Sequence, residues 1–245
     1  MSEPLVLVPG MMCDARVFGP QIRVFARTRS IHLAPITNHE TIEEIASEVL
    51  AAAPRRFALA GFSMGGIVAM EMFRQEPERV ARLALLDTNA SGETPKAAAL
   101  REPQIVRVMA GSLQDVMRDD FGTALFAAGP RAREAQRQFH DMALELGGEV
   151  FVRQSRALQR RPDLQQILSR IGVPTLVMCG AEDQLCPASR HEVMAGLIPH
   201  ATLKVVPQAG HFPTLEQPEM VIEALEQWLD ESRPPLRLTE AVDPE

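Results

Sequence analysis

The chain has 245 residues, 46% of them hydrophobic and 23% charged, with a formal net charge of −7. That length suits one large α/β domain or two small ones, the composition excludes wholesale disorder, and the acidic balance argues against nucleic acid as a partner. Cys13, Cys179 and Cys186 form neither a disulfide framework nor a metal-binding spacing, and neither a basic-then-apolar leader nor an apolar run of about 20 residues is present to suggest export or a membrane span.

In chain order, short apolar runs recur at Leu5–Val8, Ile31–Ala34, Phe57–Ala60, Leu83–Leu86, Thr175–Met178 and Leu203–Val206. They are apolar on both faces, as strands of a covered parallel sheet are. Helical patterns lie between them. Thr41–Ala52 opens with a Thr-x-x-Glu capping box, and Ser63 to about Gln75 ends before Pro77. Pro187–Leu197 and Pro213–Leu229 follow near the C-terminus. From 93 to 171 the alternation breaks into helical patterns without a strand, which reads as a helical lid inserted into a core of 1–92 and 172–232. The Pro-rich residues 233–245 read as a flexible C-terminal tail. Strand–helix alternation predicts a mostly parallel, doubly wound α/β sheet.

The most informative stretch is Phe57-Ala-Leu-Ala-Gly61-Phe62-Ser63-Met64-Gly65-Gly66. A strand, a Gly-x-Ser-x-Gly turn and a helix lift a serine oxygen above the sheet edge. The two glycines leave room for strand and helix to approach. Ser63 is therefore the candidate nucleophile, and the Met64 amide, at a helix start, a candidate oxyanion donor.

A serine nucleophile needs a base. His32, His39, His140, His191 and His200 read as solvated or satisfied side chains. His211 instead follows the run Leu203–Val206 and precedes a helix, at a strand's C-terminal end. Asp183, after the strand at Thr175, is the expected partner that orients His211. Asp87, ending another strand, and Glu182 are its rivals; the plainer role for Asp87 is bonding backbone amides. After the first strand, Pro9-Gly10-Met11-Met12 forms a turn in which the Met11 amide is the expected second oxyanion donor and Met12 the next choice. Cys13 lies nearby without a base of its own.

These motifs together resemble the α/β-hydrolase superfamily, in its small carboxylesterase and lactonase branch, over Leu5 to Leu229. The residues that carry the resemblance are Pro9–Arg16, Gly61–Gly66, Gly180–Asp183 and Gly210–Pro213. The form Gly-Phe-Ser-Met-Gly-Gly is similar to that of enol-lactone hydrolases, pimeloyl-ester carboxylesterases and carbon–carbon bond hydrolases. The resemblance implies an α/β-hydrolase fold with a helical cap over the site, and neither a metal nor an organic cofactor. One departure stands out: many relatives carry His-Gly where this chain has Pro9-Gly10, so a backbone donor survives but a histidine bond does not. Serine at position 63 excludes the branches that attack with aspartate.

The expected activity is hydrolysis of an ester, lactone or thioester of a small to medium apolar acyl group in the cytoplasm. Met12, Phe62, Phe121, Leu125, Phe126 and Phe139 are the candidate pocket residues, the insertion's aromatics having lid–core packing as their plainer role. Arg160 and Arg161 read first as a solvated helix end and second as a carboxylate contact. Two other readings remain open: a non-catalytic receptor for a small ligand or partner on the same fold, and a cofactor-free haloperoxidase or perhydrolase.

Overall fold

Six strands form one sheet: β1 (Leu5–Val8), β2 (Ile31–Leu33), β3 (Phe57–Phe62), β4 (Val80–Leu86), β5 (Thr175–Gly180) and β6 (Ala201–Val206). The structure is a computed structural model and describes residues 2–230; the expected tail over 233–245 lies outside the described residues. The strand order is β2-β1-β3-β4-β5-β6 and every pairing is parallel. The strands alternate between two buried layers. Leu5, Leu7, Ala58, Ala60 and Phe62 face one layer, and Val6, Val8, Phe57 and Leu59 the other. Burial on both faces is the physical reason these runs lack polar alternation.

The helices are α1 (Gly19–Phe25), α2 (Ile42–Ala52), α3 (Met64–Gln75), α4 (Pro95–Met109), α5 (Leu113–Asp120), α6 (Ala132–Leu146), α7 (Gly148–Gln159), α8 (Gln165–Leu168), α9 (Ala188–Leu197), α10 (Pro213–Glu216) and α11 (Pro218–Leu229). The helix α2 begins as its capping box predicts: Thr41 accepts from the Glu44 N–H at 3.3 Å and its hydroxyl donates to the Glu44 carboxylate at 2.7 Å. Such a cap contributes about 1 kcal/mol. Its buried stripe is Ile42, Ile45, Ala46, Val49 and Leu50. The helices α4 to α8 all fall between β4 and β5.

The single helix expected over Pro213–Leu229 is instead two. Gln217 has φ −133° and ψ 55°, and Pro218 follows. A proline disfavours helical backbone in the residue before it and lacks an N–H to continue the ladder. The break turns α11 onto the sheet while leaving α10 beside residue 211.

The chain leaves β1 toward β2 on one side and returns to β3 on the other. The crevice beyond the C-terminal ends of β1 and β3 is thus the topological switch point, where doubly wound sheets bind ligands. The turns after β1, β3, β5 and β6 carry Met11, Ser63, Asp183 and His211.

Candidate active site

Ser63 sits between β3 and α3 with φ 53° and ψ −117°. A non-glycine residue there stores roughly 1–3 kcal/mol of strain, which the surroundings must hold. Ser63 N–H donates to the Leu86 carbonyl at 2.9 Å, and the Thr88 hydroxyl donates to the Ser63 carbonyl at 2.8 Å. The glycines are required sterically: a Cβ on Gly61 would lie 2.2 Å from the Gly65 carbonyl oxygen, and one on Gly65 would lie 2.1 Å from that of Val8.

His211 Nε2 lies 2.9 Å from Ser63 Oγ, and its Nδ1 lies 2.8 Å from Asp183 Oδ2. Asp183 Oδ1 accepts from the N–H groups of Leu185 and Cys186 at 2.8 and 2.9 Å. Burial pushes the Asp183 carboxyl up, but the His211 hydrogen bond and charge and the two backbone donors outweigh it and hold it below its ordinary value. An ionised carboxylate anchored by three hydrogen bonds in this way keeps the proton on Nδ1 and leaves Nε2 free to accept one.

The rivals stand elsewhere. Glu182 is exposed. Asp87 is buried at the end of β4 with φ 46°, and its Oδ1 accepts the Gly180 N–H at 2.8 Å. Its Oδ2 has no hydrogen-bond partner. Burial, reinforced by the charge of Asp183, raises its pKa well above the ordinary carboxylate range. Among the other histidines, His39 meets Glu48 at 3.3 Å. His191 is buried, with Nε2 accepting from the Thr88 N–H at 3.0 Å.

Two anchors were not legible in the sequence. Glu216, on α10, is buried and accepts from the N–H groups of Ala127, Gly210 and Phe212 at 2.7, 3.0 and 3.1 Å. The His211 N–H donates to the Leu125 carbonyl at 2.7 Å. The histidine turn is therefore clasped from both sides, partly by the insertion. Gln154, on α7, accepts from the Met12 N–H at 2.8 Å and donates to the Ile36 carbonyl at 2.9 Å. That bond occupies the Met12 amide, which leaves Met11 as the turn's candidate donor. The Met64 N–H belongs to the first turn of α3 and has no intrahelical acceptor.

A cavity of about 280 Å³ opens on Ser63 and His211. Met11, Met12, Phe62, Phe121, Leu125 and Phe139 line it. Phe126 does not: its ring stacks on Phe212 at 4.9 Å and 15°, behind the wall. Arg161 also departs from expectation. Its side chain is only 9% exposed, meets Glu93 at 3.5 Å and lines the cavity. Arg160 is exposed and pairs with Glu40 at 3.4 Å.

Asp183, Cys186 and His211 bring three potential metal ligands within 4.8 Å of one another. Both ring nitrogens of His211 are already engaged, and burial with the Asp183 charge pushes the Cys186 thiol up to about 12. With Nδ1 facing Asp183 and Nε2 facing Ser63, the donor set suits a hydrogen-bonded line.

A family model described as the alpha/beta hydrolase family matches residues 5–224. The chain belongs to the alpha/beta hydrolase family. Among curated relatives of this hydrolase is the pimeloyl-[acyl-carrier protein] methyl ester esterase of Vibrio atlanticus, 26% identical over 87% of this chain and 89% of that protein. The enzyme of the same name from Xanthomonas campestris is 27% identical over 92% and 94%. A thermophilic esterase from Thermogutta terrifontis, solved with malate bound, superposes with a TM-score of 0.84 at 27% identity, over 94% of this chain and 90% of that one. The enol-lactonase of Burkholderia xenovorans shares the fold, with a TM-score of 0.83 at 20% identity over 94% and 92%. No helix among the described residues is long and apolar enough to cross a membrane.

Proposed function

We propose that this hydrolase is a serine esterase that cleaves a small to medium apolar acyl ester, lactone or thioester through an acyl-enzyme. The observation that carries this reading is the unbroken line Asp183–His211–Ser63, with contacts of 2.8 and 2.9 Å, at the floor of an apolar cavity. The relatives named as esterases support the reaction class.

In this mechanism Ser63 Oγ attacks the substrate carbonyl carbon while His211 Nε2 takes the hydroxyl proton. Asp183 holds Nδ1–H and stabilises the imidazolium without taking the proton. The carbonyl oxygen becomes an oxyanion held by the Met64 and Met11 N–H groups, the former at the positive end of α3. The bond from carbonyl carbon to leaving oxygen breaks as His211 returns the proton to that oxygen. Water then attacks the acyl-enzyme, His211 takes its proton, and Ser63 Oγ leaves with that proton as the carboxylic acid is released.

The insertion 93–171 serves as the lid: Phe121, Leu125 and Phe139 supply one wall of the cavity. A volume near 280 Å³ suits an acyl chain of modest length. The three cysteines are free and buried, which fits a reducing cytoplasm. The test is labelling with a p-nitrophenyl phosphonate. The expected result is one adduct, mapped by peptide mass spectrometry to Ser63 and lost in His211→Ala. An adduct on another residue, or undiminished labelling in His211→Ala, contradicts the reading.

A further inference from the structure

The cavity has a second character. Its apolar wall surrounds Ser63, but Arg101, Arg161, Arg190 and Glu93 also line it. Three guanidinium groups and a single carboxylate therefore line one cavity. They come from separate parts of the chain: Arg101 from α4, Arg161 from the turn after α7, and Arg190 from α9 of the core. The Glu93 side chain is itself buried and shared, 3.2 Å from Arg101 and 3.5 Å from Arg161. Arg190 has no ion pair among the described residues.

Arg161 carries the argument furthest. Its side chain is more than nine-tenths buried, and its Nε–H is buried without a hydrogen-bond partner. Buried polar groups are ordinarily satisfied, and a buried guanidinium half-neutralised by a long contact is a costly arrangement to maintain for packing alone. Burial in fact draws the Arg161 pKa down, against the opposing pull of Glu93. An incoming carboxylate would supply an acceptor for Nε–H and the missing negative charge together. Arginine's planar fork suits that group.

We propose that the substrate is an ester that also bears a free carboxylate, such as a half-ester of a dicarboxylic acid, and that Arg161, with Arg101 and Arg190, binds that carboxylate. This rests on the esterase reading and narrows its substrate class. The apolar wall accommodates the methylene chain between the two ends. The scissile end lies at Ser63 and the anionic end at the arginines.

The test compares monomethyl adipate with methyl hexanoate, which has the same chain length without the charge. The expected result for the wild-type protein is a kcat/KM at least tenfold higher for the half-ester, with most of the difference in KM. In R161Q that ratio falls at least tenfold, and in the exposed R160Q it stays as in wild type. R190Q, altered at an exposed side chain, lowers the ratio as well, so the outcome does not depend on R161Q folding. A ratio near one in the wild-type protein, or an unchanged ratio in R161Q and R190Q, overturns the proposal. Calorimetric binding of adipate reads the carboxylate site without turnover. Adipate binding that weakens at least tenfold in R190Q, in a protein inert toward every ester, upholds the anion site and refutes the esterase. Turnover of p-nitrophenyl butyrate without adipate binding does the reverse.

Discussion

Asp183 and Asp87 end neighbouring strands of one sheet, yet only Asp183 touches His211, at 2.8 Å. Asp87 instead turns Oδ1 to the Gly180 N–H and is held toward its neutral form by burial and by the charge of Asp183. One carboxyl is kept ionised at the imidazole and the other is kept from competing with it.

Asp183→Asn is expected to lower kcat/KM by about 10³–10⁴-fold, because an amide facing Nδ1 favours the wrong imidazole tautomer. Asp87→Asn is expected to cost less than tenfold. The folded-state pKa of Asp87 is raised, so its contribution to stability is present below its unfolded value and is lost as pH rises through the folded one. The stability of Asp87→Asn relative to wild type should therefore increase in urea titrations as pH rises above the ordinary carboxylate value of 3.8. A flat difference, or equal kinetic losses in the two variants, contradicts this assignment.

His191 makes the opposite titration visible. Burial lowers its pKa from 6.5 to about 4. The unfolded chain takes up a proton in that window before the folded protein does. Stability is thus lost as pH falls from about 6.5 toward 4, by up to about 3 kcal/mol from this group. His191→Gln should remove that part of the slope between pH 7.5 and 4.5. Parallel urea curves for variant and wild type would rule out His191 as the cause.

Gly65→Ala places a Cβ 2.1 Å from the Val8 carbonyl oxygen, against sheet backbone that cannot retreat. The expected outcome is a loss of more than about 4 kcal/mol, or no soluble folded protein. A thermal midpoint within a few degrees of wild type would show that the elbow is looser than described.

Gln154→Leu removes the acceptor of the Met12 N–H and the donor to Ile36. Two buried backbone groups then lose partners, at about 1–3 kcal/mol each. Because Met11 adjoins Met12, the account expects kcat to fall at least tenfold while KM changes less than threefold. A change confined to stability would make Gln154 structural only.

Much of this arrangement was legible in the chain. Apolar runs buried on both faces announced a parallel sheet, and Gly61-Phe62-Ser63-Met64-Gly65 named its sharpest turn because steric exclusion acts between close neighbours. The features that the chain did not disclose depend on distant partners. Gln154 bonds to a residue 142 positions away, and Arg161 is buried by a glutamate 68 positions away. Periodicity carries no record of such pairings. Phe126 looked like any aromatic of the insertion; its stacking on Phe212 is a tertiary fact. The division between α10 and α11 was written in Pro218 and outweighed the apolar period spanning it. It bears on the site, because α10 carries the Glu216 that clasps the histidine turn.

The central claim is that Ser63 Oγ is the attacking atom. Steady-state hydrolysis of p-nitrophenyl butyrate by wild type and Ser63→Ala, each verified as folded by circular dichroism, tests it most directly. The account predicts that kcat/KM falls at least 10⁴-fold on loss of the hydroxyl. Equal rates in the two proteins would contradict it.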